Sequence, residues 1–278
     1  MHTRVLIERG DISPAFTLDD RIFLGEGLFE TIKVERSQPC FAQLHWQRLN
    51  NSAHALGIPF DLLFDDWLEH LIAQIKRDNL YHGGIKAILS GGSAPRGLAQ
   101  HGQTSQLVLQ SFNYTIHTHP VRLMSAGWLR DRANPIYQFK SVNYLEAILA
   151  RRLALAAGVD DALFFNSHHY ATETTCANLF FTKNNSLFTP ALDEGVLPGV
   201  TRTRILMQCS THNIPCIEAS ISKKMIEDAD GVFITNCLQG IRRVLSLDGV
   251  ALNEDSLLIE QLSSLLNQDE MNQSDLII

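Results

Sequence analysis

Short apolar or alternating runs and longer stretches of helical spacing succeed one another along this chain. Strands are predicted at residues 4–8, at 28–34 after the Gly25-Glu26-Gly27 turn, at 85–89 and at 106–112. Over 41–56, Leu44, Leu49, Ala53 and Leu56 mark an amphipathic helix that Gly57 and Pro59 end. A second helix over 61–76 carries Leu62, Leu63, Trp67, Leu68, Leu71 and Ile75 on one stripe. Residues 90–104, glycine-rich and polar, form a loop, and 113–120, NYTIHTHP, reads as a linker that ends in proline. Beyond it the pattern predicts a strand at 121–125, a helix at 142–157 and strands at 162–166 and 178–183. A helix at 201–212, strands at 231–235 and 243–246, a helix at 255–266 and a loose tail over 268–278 follow. The expectation is an α+β, or mixed α/β, protein in two domains: 1–112 smaller, and 121–278 larger.

Composition narrows the function. With 278 residues, of which 45% are hydrophobic and 19% charged, the chain can bury a large core without disulfides or metals. A net charge of −7 disfavours nucleic acid and anionic membranes as partners, since both draw binding from clustered Lys and Arg. The first residues, MHTRVLIERGD, contain no signal-like apolar run, and no stretch approaches the roughly 20 apolar residues of a membrane helix. Five scattered cysteines without a CxxC pair read as free thiols of a reducing compartment, so a cytoplasmic location is expected.

Four places could carry chemistry, each with an ordinary alternative. Lys140, in QFKSVNYLEA, follows Tyr137 and Phe139; desolvation by aromatics would favour a neutral, imine-forming amine, while a snorkelling lysine at a helix start fits as well. Arg48, in HWQRLNNSAHAL, suits bidentate phosphate binding or plain solvation. Thr201, in LPGVTRTRIL, stands at a helix start, where unpaired N–H groups can take a phosphate or simply be capped. Glu173, in ATETTCANLFF, could hold a heteroaromatic nitrogen protonated or sit in a surface loop. His117, His119, His168 and His169 lack acidic or cysteine partners at metal-ligand spacing, so no metal is expected. Gly25-x-Gly27 lacks the third glycine of a dinucleotide fingerprint.

Taken in order, GEGLFET, HWQRL, FKSVNYLEA, TETTCANLF and LPGVTR resemble the fold type IV pyridoxal-phosphate family, from about Gly25 to about Val244. That family holds branched-chain and D-amino acid aminotransferases and 4-amino-4-deoxychorismate lyases. The resemblance implies that Lys140 is the Schiff-base lysine and that Arg48, Val200 and Thr201 bind the cofactor phosphate. It implies that Glu173 pairs with the pyridine nitrogen and that Tyr144 reaches the phenolic oxygen. It also implies a homodimer, with the cofactor lodged between the smaller and the larger domain.

Within the family, TNCLQGIRRV resembles the T-N-x-L-x-G-x-x-P-V run of the lyases, with Arg243 in place of the proline, and implies cofactor contacts at Asn236 and Cys237. SGGSAPRGL is similar to the lyases' S-R-G-S-G-x-R-G-Y, with Gly91 for an arginine and Leu98 for the tyrosine. It is similar also to the R-G-x-x-P-R-x-H of D-amino acid aminotransferases, but Leu98 and Phe29 stand where two members of their carboxylate trap belong. The resemblance thus favours an aminodeoxychorismate lyase of folate synthesis, with Arg96 and Phe29 on the substrate side. An aminotransferase of the same fold is the alternative, and a non-catalytic cofactor-binding relative a lesser one.

Overall fold

The computed structural model describes residues 2–7, 16–254 and 257–275. The chain clusters into two compact units: Met1–Thr115 with Phe139–Asn143 and Glu270–Ile278, and Ile116–Gln138 with Tyr144–Asp269. A linear division at 113–120 misses both returns to the first unit. The first of them carries Lys140.

In the first unit, strands β1 (His2–Ile7), β2 (Gly27–Glu35), β3 (Gln38–Pro39), β4 (His82–Ser90) and β5 (Thr104–Phe112) form one sheet in the order β1-β5-β4-β2-β3. β1 runs parallel to β5 and the other pairs are antiparallel. Two helices, α1 (Ala42–Leu56) and α2 (Phe64–Arg77), contribute Leu49, Trp67, Leu71 and Ile75 to a core shared with Leu28, Ile32, Ile85, Leu89 and Leu107 of the sheet. Side chains alternate across a strand, so Leu28, Glu30 and Ile32 face this core and Phe29 and Thr31 face away. α2 begins at Phe64, three residues later than its apolar stripe suggested, because Leu63 is extended.

The second unit is built on β6 (Val121–Arg130), β7 (Asp161–Asn166), β8 (Tyr170–Thr174), β9 (Asn178–Lys183), β10 (Ser186–Pro190), β11 (Cys216–Ala219), β12 (Ile221–Ser222), β13 (Gly231–Asn236), β14 (Gly240–Leu247) and β15 (Val250–Ala251). The path β9-β13-β14-β6-β7-β8 returns to β9 through a pairing of Glu173 with Asn178. It thereby closes on itself around Val121, Leu163, Leu179, Phe181, Ile234 and Val244. Helices α3 (Leu145–Ala156), α4 (Val200–Thr211), α5 (Lys223–Glu227) and α6 (Leu257–Asp275) complete the described chain.

Two expectations change. The helix expected from residue 142 starts at Leu145, since the preceding backbone is paired with β2. Residues 268–275, expected loose, continue α6, where Asp269 meets Arg204 and Glu270 meets Lys33. Arg243, which stands where the lyase run has proline, donates from Nη1 to the Glu254 carbonyl (3.0 Å) and from Nη2 to Glu260 (2.9 Å). Glu8, Asp255, Ser256 and residues 276–278 of the predicted elements lie outside the described residues.

Candidate active site

Lys140 is fixed by its backbone before its side chain matters. Phe29 N–H donates to the Lys140 carbonyl (2.8 Å), and Val142 N–H to that of Gly27 (3.0 Å). The segment Phe139–Asn143 thus lies antiparallel against the start of β2. Asn143 Nδ2 donates to the Gly25 carbonyl at 2.7 Å, and a Cβ at Gly25 (φ +82°) would stand 2.2 Å from Asn143 Oδ1. Only glycine allows that approach, which gives the GEG motif its physical reason.

The Lys140 ammonium then lies over the Phe29 ring, 4.3 Å from its centroid, and Lys86 Nζ lies over the same ring at 5.0 Å. No sequence motif marks Lys86; it comes close because β2 and β4 pair Thr31 with Lys86, two residues along from Phe29. The Phe29 ring is thus shared by two lysines, and Lys86 places a cation close to the Lys140 amine.

Arg48 comes to rest on a buried carboxylate. Its Nε and Nη2 donate to Glu30 at 2.7 and 2.5 Å, and His45 Nδ1 stands 2.6 Å from Glu30 Oε2. Glu30 and His45 are each 1% exposed. Burial pushes the Glu30 carboxyl up, but the Arg48 charge and the hydrogen bonds from His45 and Arg48 outweigh it and bring it down to about 2. Burial pushes the His45 imidazole down, against the upward pull of Glu30. His45 is therefore neutral, with Nδ1–H directed at Glu30, and its buried Nε2 has no hydrogen-bond partner.

Arg96 is exposed and lines a cavity of about 940 Å³ in the first unit, together with Leu18, Asp20, Phe23 and Leu24. Buried Arg21 shapes this wall by donating to the carbonyls of Gly97 (3.1 Å) and Leu98 (3.4 Å).

In the second unit, Glu173 Oε1 accepts from Arg130 Nη1 (3.2 Å), while Oε2 accepts from Leu197 N–H (3.2 Å) and Asn178 Nδ2 (3.4 Å). Asn178 also donates to the Leu197 carbonyl (3.0 Å), which ties the carboxylate to the loop leading into α4. Gly199 is the N-cap of α4, and a Cβ there would lie 1.9 Å from Asn178 Oδ1. Val200 and Thr201 are buried in the first turn, which has no side-chain cap. Tyr144 is half-buried at the N-cap of α3.

The Asn236 side chain is engaged within its own unit. Its Oδ1 accepts from Leu238 N–H (3.1 Å) and Gln239 N–H (2.9 Å), and its Nδ2 donates to the Cys176 carbonyl (3.3 Å). Its side chain builds the β13–β14 turn and pins the TETTCAN segment. Cys237, half-buried, belongs to the same turn.

Each unit carries groups that suit pyridoxal phosphate: the first an amine against an aromatic ring, the second a helix N-terminus without a side-chain cap and a carboxylate fixed by three donors. Among the described residues, no group of three or more His, Cys, Asp or Glu could hold a metal ion, and no helix is long and apolar enough to cross a membrane.

Residues 27–247 match the model of the amino-transferase class IV family, and the chain belongs to it. It is a fold type IV enzyme whose cofactor is pyridoxal phosphate, and solved structures of this fold include a pyridoxal-phosphate-bound form. A crystal structure of a Legionella pneumophila protein, provisionally named a 4-amino-4-deoxychorismate lyase, is 62% identical. It superposes with a TM-score of 0.94 and matches 97% of this chain and 100% of its own. Aminodeoxychorismate lyase of Vibrio harveyi is 29% identical over 86% of this chain and 89% of its own length. Branched-chain-amino-acid aminotransferase of Salmonella typhimurium is 27% identical over 76% of this chain and 71% of its own.

Proposed function

We propose that this enzyme is an aminodeoxychorismate lyase, which splits 4-amino-4-deoxychorismate into 4-aminobenzoate and pyruvate on the route to folate. The observation that carries the reading is the Phe29 ring with Lys140 and Lys86 over it. The substrate is a six-membered carbon ring with two carboxylates; an apolar ring face with a cation, Lys86, beside it suits such a molecule, whereas a small amino acid needs a polar carboxylate trap. The 62% identity to the Legionella protein and the TNCLQG run support the same choice.

Pyridoxal phosphate would supply an electron-withdrawing ring for the carbon next to the substrate nitrogen. Lys140 supplies the amine that holds the cofactor at rest. Displaced by substrate, it takes the proton from the ring carbon bearing nitrogen and is placed to return one to the methylene carbon of the departing enolpyruvyl group. The carbon–oxygen bond to that group breaks, and the six-membered ring becomes aromatic. Glu173 would hold the pyridine nitrogen and Tyr144 the phenolic oxygen, and Arg48, Val200 and Thr201 would hold the phosphate. Lys86 and Arg96 receive the carboxylates.

The chain acts as a homodimer in this reading, which light scattering should report as twice 31.1 kDa. L-Leucine or D-alanine with 2-oxoglutarate should give no steady glutamate formation. Rapid exchange would assign the enzyme to the aminotransferases instead.

A further inference from the structure

Arg130, the last residue of β6, is buried, and its guanidinium serves two carboxylates at once. Nε donates to Glu146 Oε2 (2.9 Å) and Nη1 to Glu173 Oε1 (3.2 Å). Its faces are occupied too: Cζ lies 3.6 Å from the centroid of Phe164 and 4.6 Å from that of Tyr137. Trp128 Nε1 donates to the other oxygen of Glu146 (2.9 Å), so the partner carboxylate is itself held. A planar fork with its faces against rings and its edges on two carboxylates has little freedom left. A lysine is a point charge and could not serve both oxygens in that geometry.

The bond to Glu146 alone would compensate the buried charge of Arg130. Its second bond fixes one oxygen of Glu173, while Leu197 and Asn178 fix the other. We propose that Arg130 is a positioning residue for the cofactor, setting the orientation of the Glu173 carboxylate toward the ring nitrogen. This rests on the reading of Glu173 as the partner of that nitrogen.

The test uses full-length apo-protein titrated with pyridoxal phosphate and with its 1-deaza analogue, in which a C–H replaces the ring nitrogen. Wild type should bind the natural cofactor more tightly than the analogue, and Glu173→Gln should remove most of that preference. Arg130→Lys and Arg130→Met should lower the preference by about tenfold or more, with affinity for the analogue kept within about twofold. Glu146→Gln, which leaves the guanidinium to Glu173, should keep the preference and guards against an Arg130→Met that does not fold. Undiminished preference in folded Arg130 variants would overturn the inference, as would equal loss of both ligands, the mark of a merely structural role. If wild type shows no preference, or Glu173→Gln retains it, the assignment of Glu173 fails first and the role of Arg130 with it.

Discussion

Replacing Glu30 by Gln tests the buried ion pair on which Arg48 depends. Glutamine approximates the protonated carboxyl in shape, so the change removes the charge and little else. In the folded protein the Glu30 carboxyl is lowered from 4.5 to about 2. That shift corresponds to about 3 kcal/mol in favour of the ionised form, the scale expected when one partner of a buried pair is removed. The sign follows from linkage. The folded carboxyl titrates below the unfolded one, so its contribution is complete above pH of about 4.5 and is lost as pH falls toward about 2. His45, whose imidazole is pushed down by burial, adds acid sensitivity of the same sign, beginning below the ordinary histidine value. Urea unfolding followed by far-UV circular dichroism should therefore find Glu30→Gln about 3 kcal/mol less stable at pH 7, with the gap to wild type closing in acid. Equal stability at pH 7, or a gap that ignores pH, would refute the reasoning.

Borohydride reduction of the holoenzyme followed by peptide mapping should label Lys140; label on Lys33 or Lys86 would contradict the assignment, and Lys140→Ala should lose the imine absorbance. Gly199→Ala places a methyl where Asn178 Oδ1 now stands, 1.9 Å from the ideal Cβ. It should cost about 1–3 kcal/mol and weaken cofactor retention, measured by dialysis and absorbance, whereas unchanged retention would separate Gly199 from the phosphate site. Arg96→Ala should raise KM or lower kcat/KM with the cofactor retained, and cofactor loss would make Arg96 a structural residue.

Much of this architecture can be read from the sequence because its signals are local. The stripes of α1 and α2 place Leu49 and Trp67 in the core, and Gly25 marks a backbone that admits no side chain. The motifs name Lys140, Glu173 and Thr201 as candidates without saying what surrounds them. What stays hidden is pairing over distance. Lys86 reaches the Phe29 ring only through the β2–β4 register, and Arg130 meets Glu173 across forty-three positions of chain. Glu30 reads as one more strand residue until α1 folds His45 and Arg48 onto it. β8 and β10 are five residues each and carry too few apolar positions for their period to declare itself. The motif position of Asn236 likewise says nothing of its side-chain amide, which bonds backbone groups of the turn and of Cys176.

The central claim is the reaction, and product stoichiometry tests it most directly. A lyase regains its starting cofactor after every turnover and needs no oxo-acid partner, whereas an aminotransferase stops at the pyridoxamine form until one arrives. Purified holoenzyme given 4-amino-4-deoxychorismate alone should complete many turnovers, releasing 4-aminobenzoate and pyruvate in equal amounts while the imine absorbance persists. No aromatic product from that substrate, together with stoichiometric conversion of the cofactor to its pyridoxamine form by an amino acid, would contradict the account.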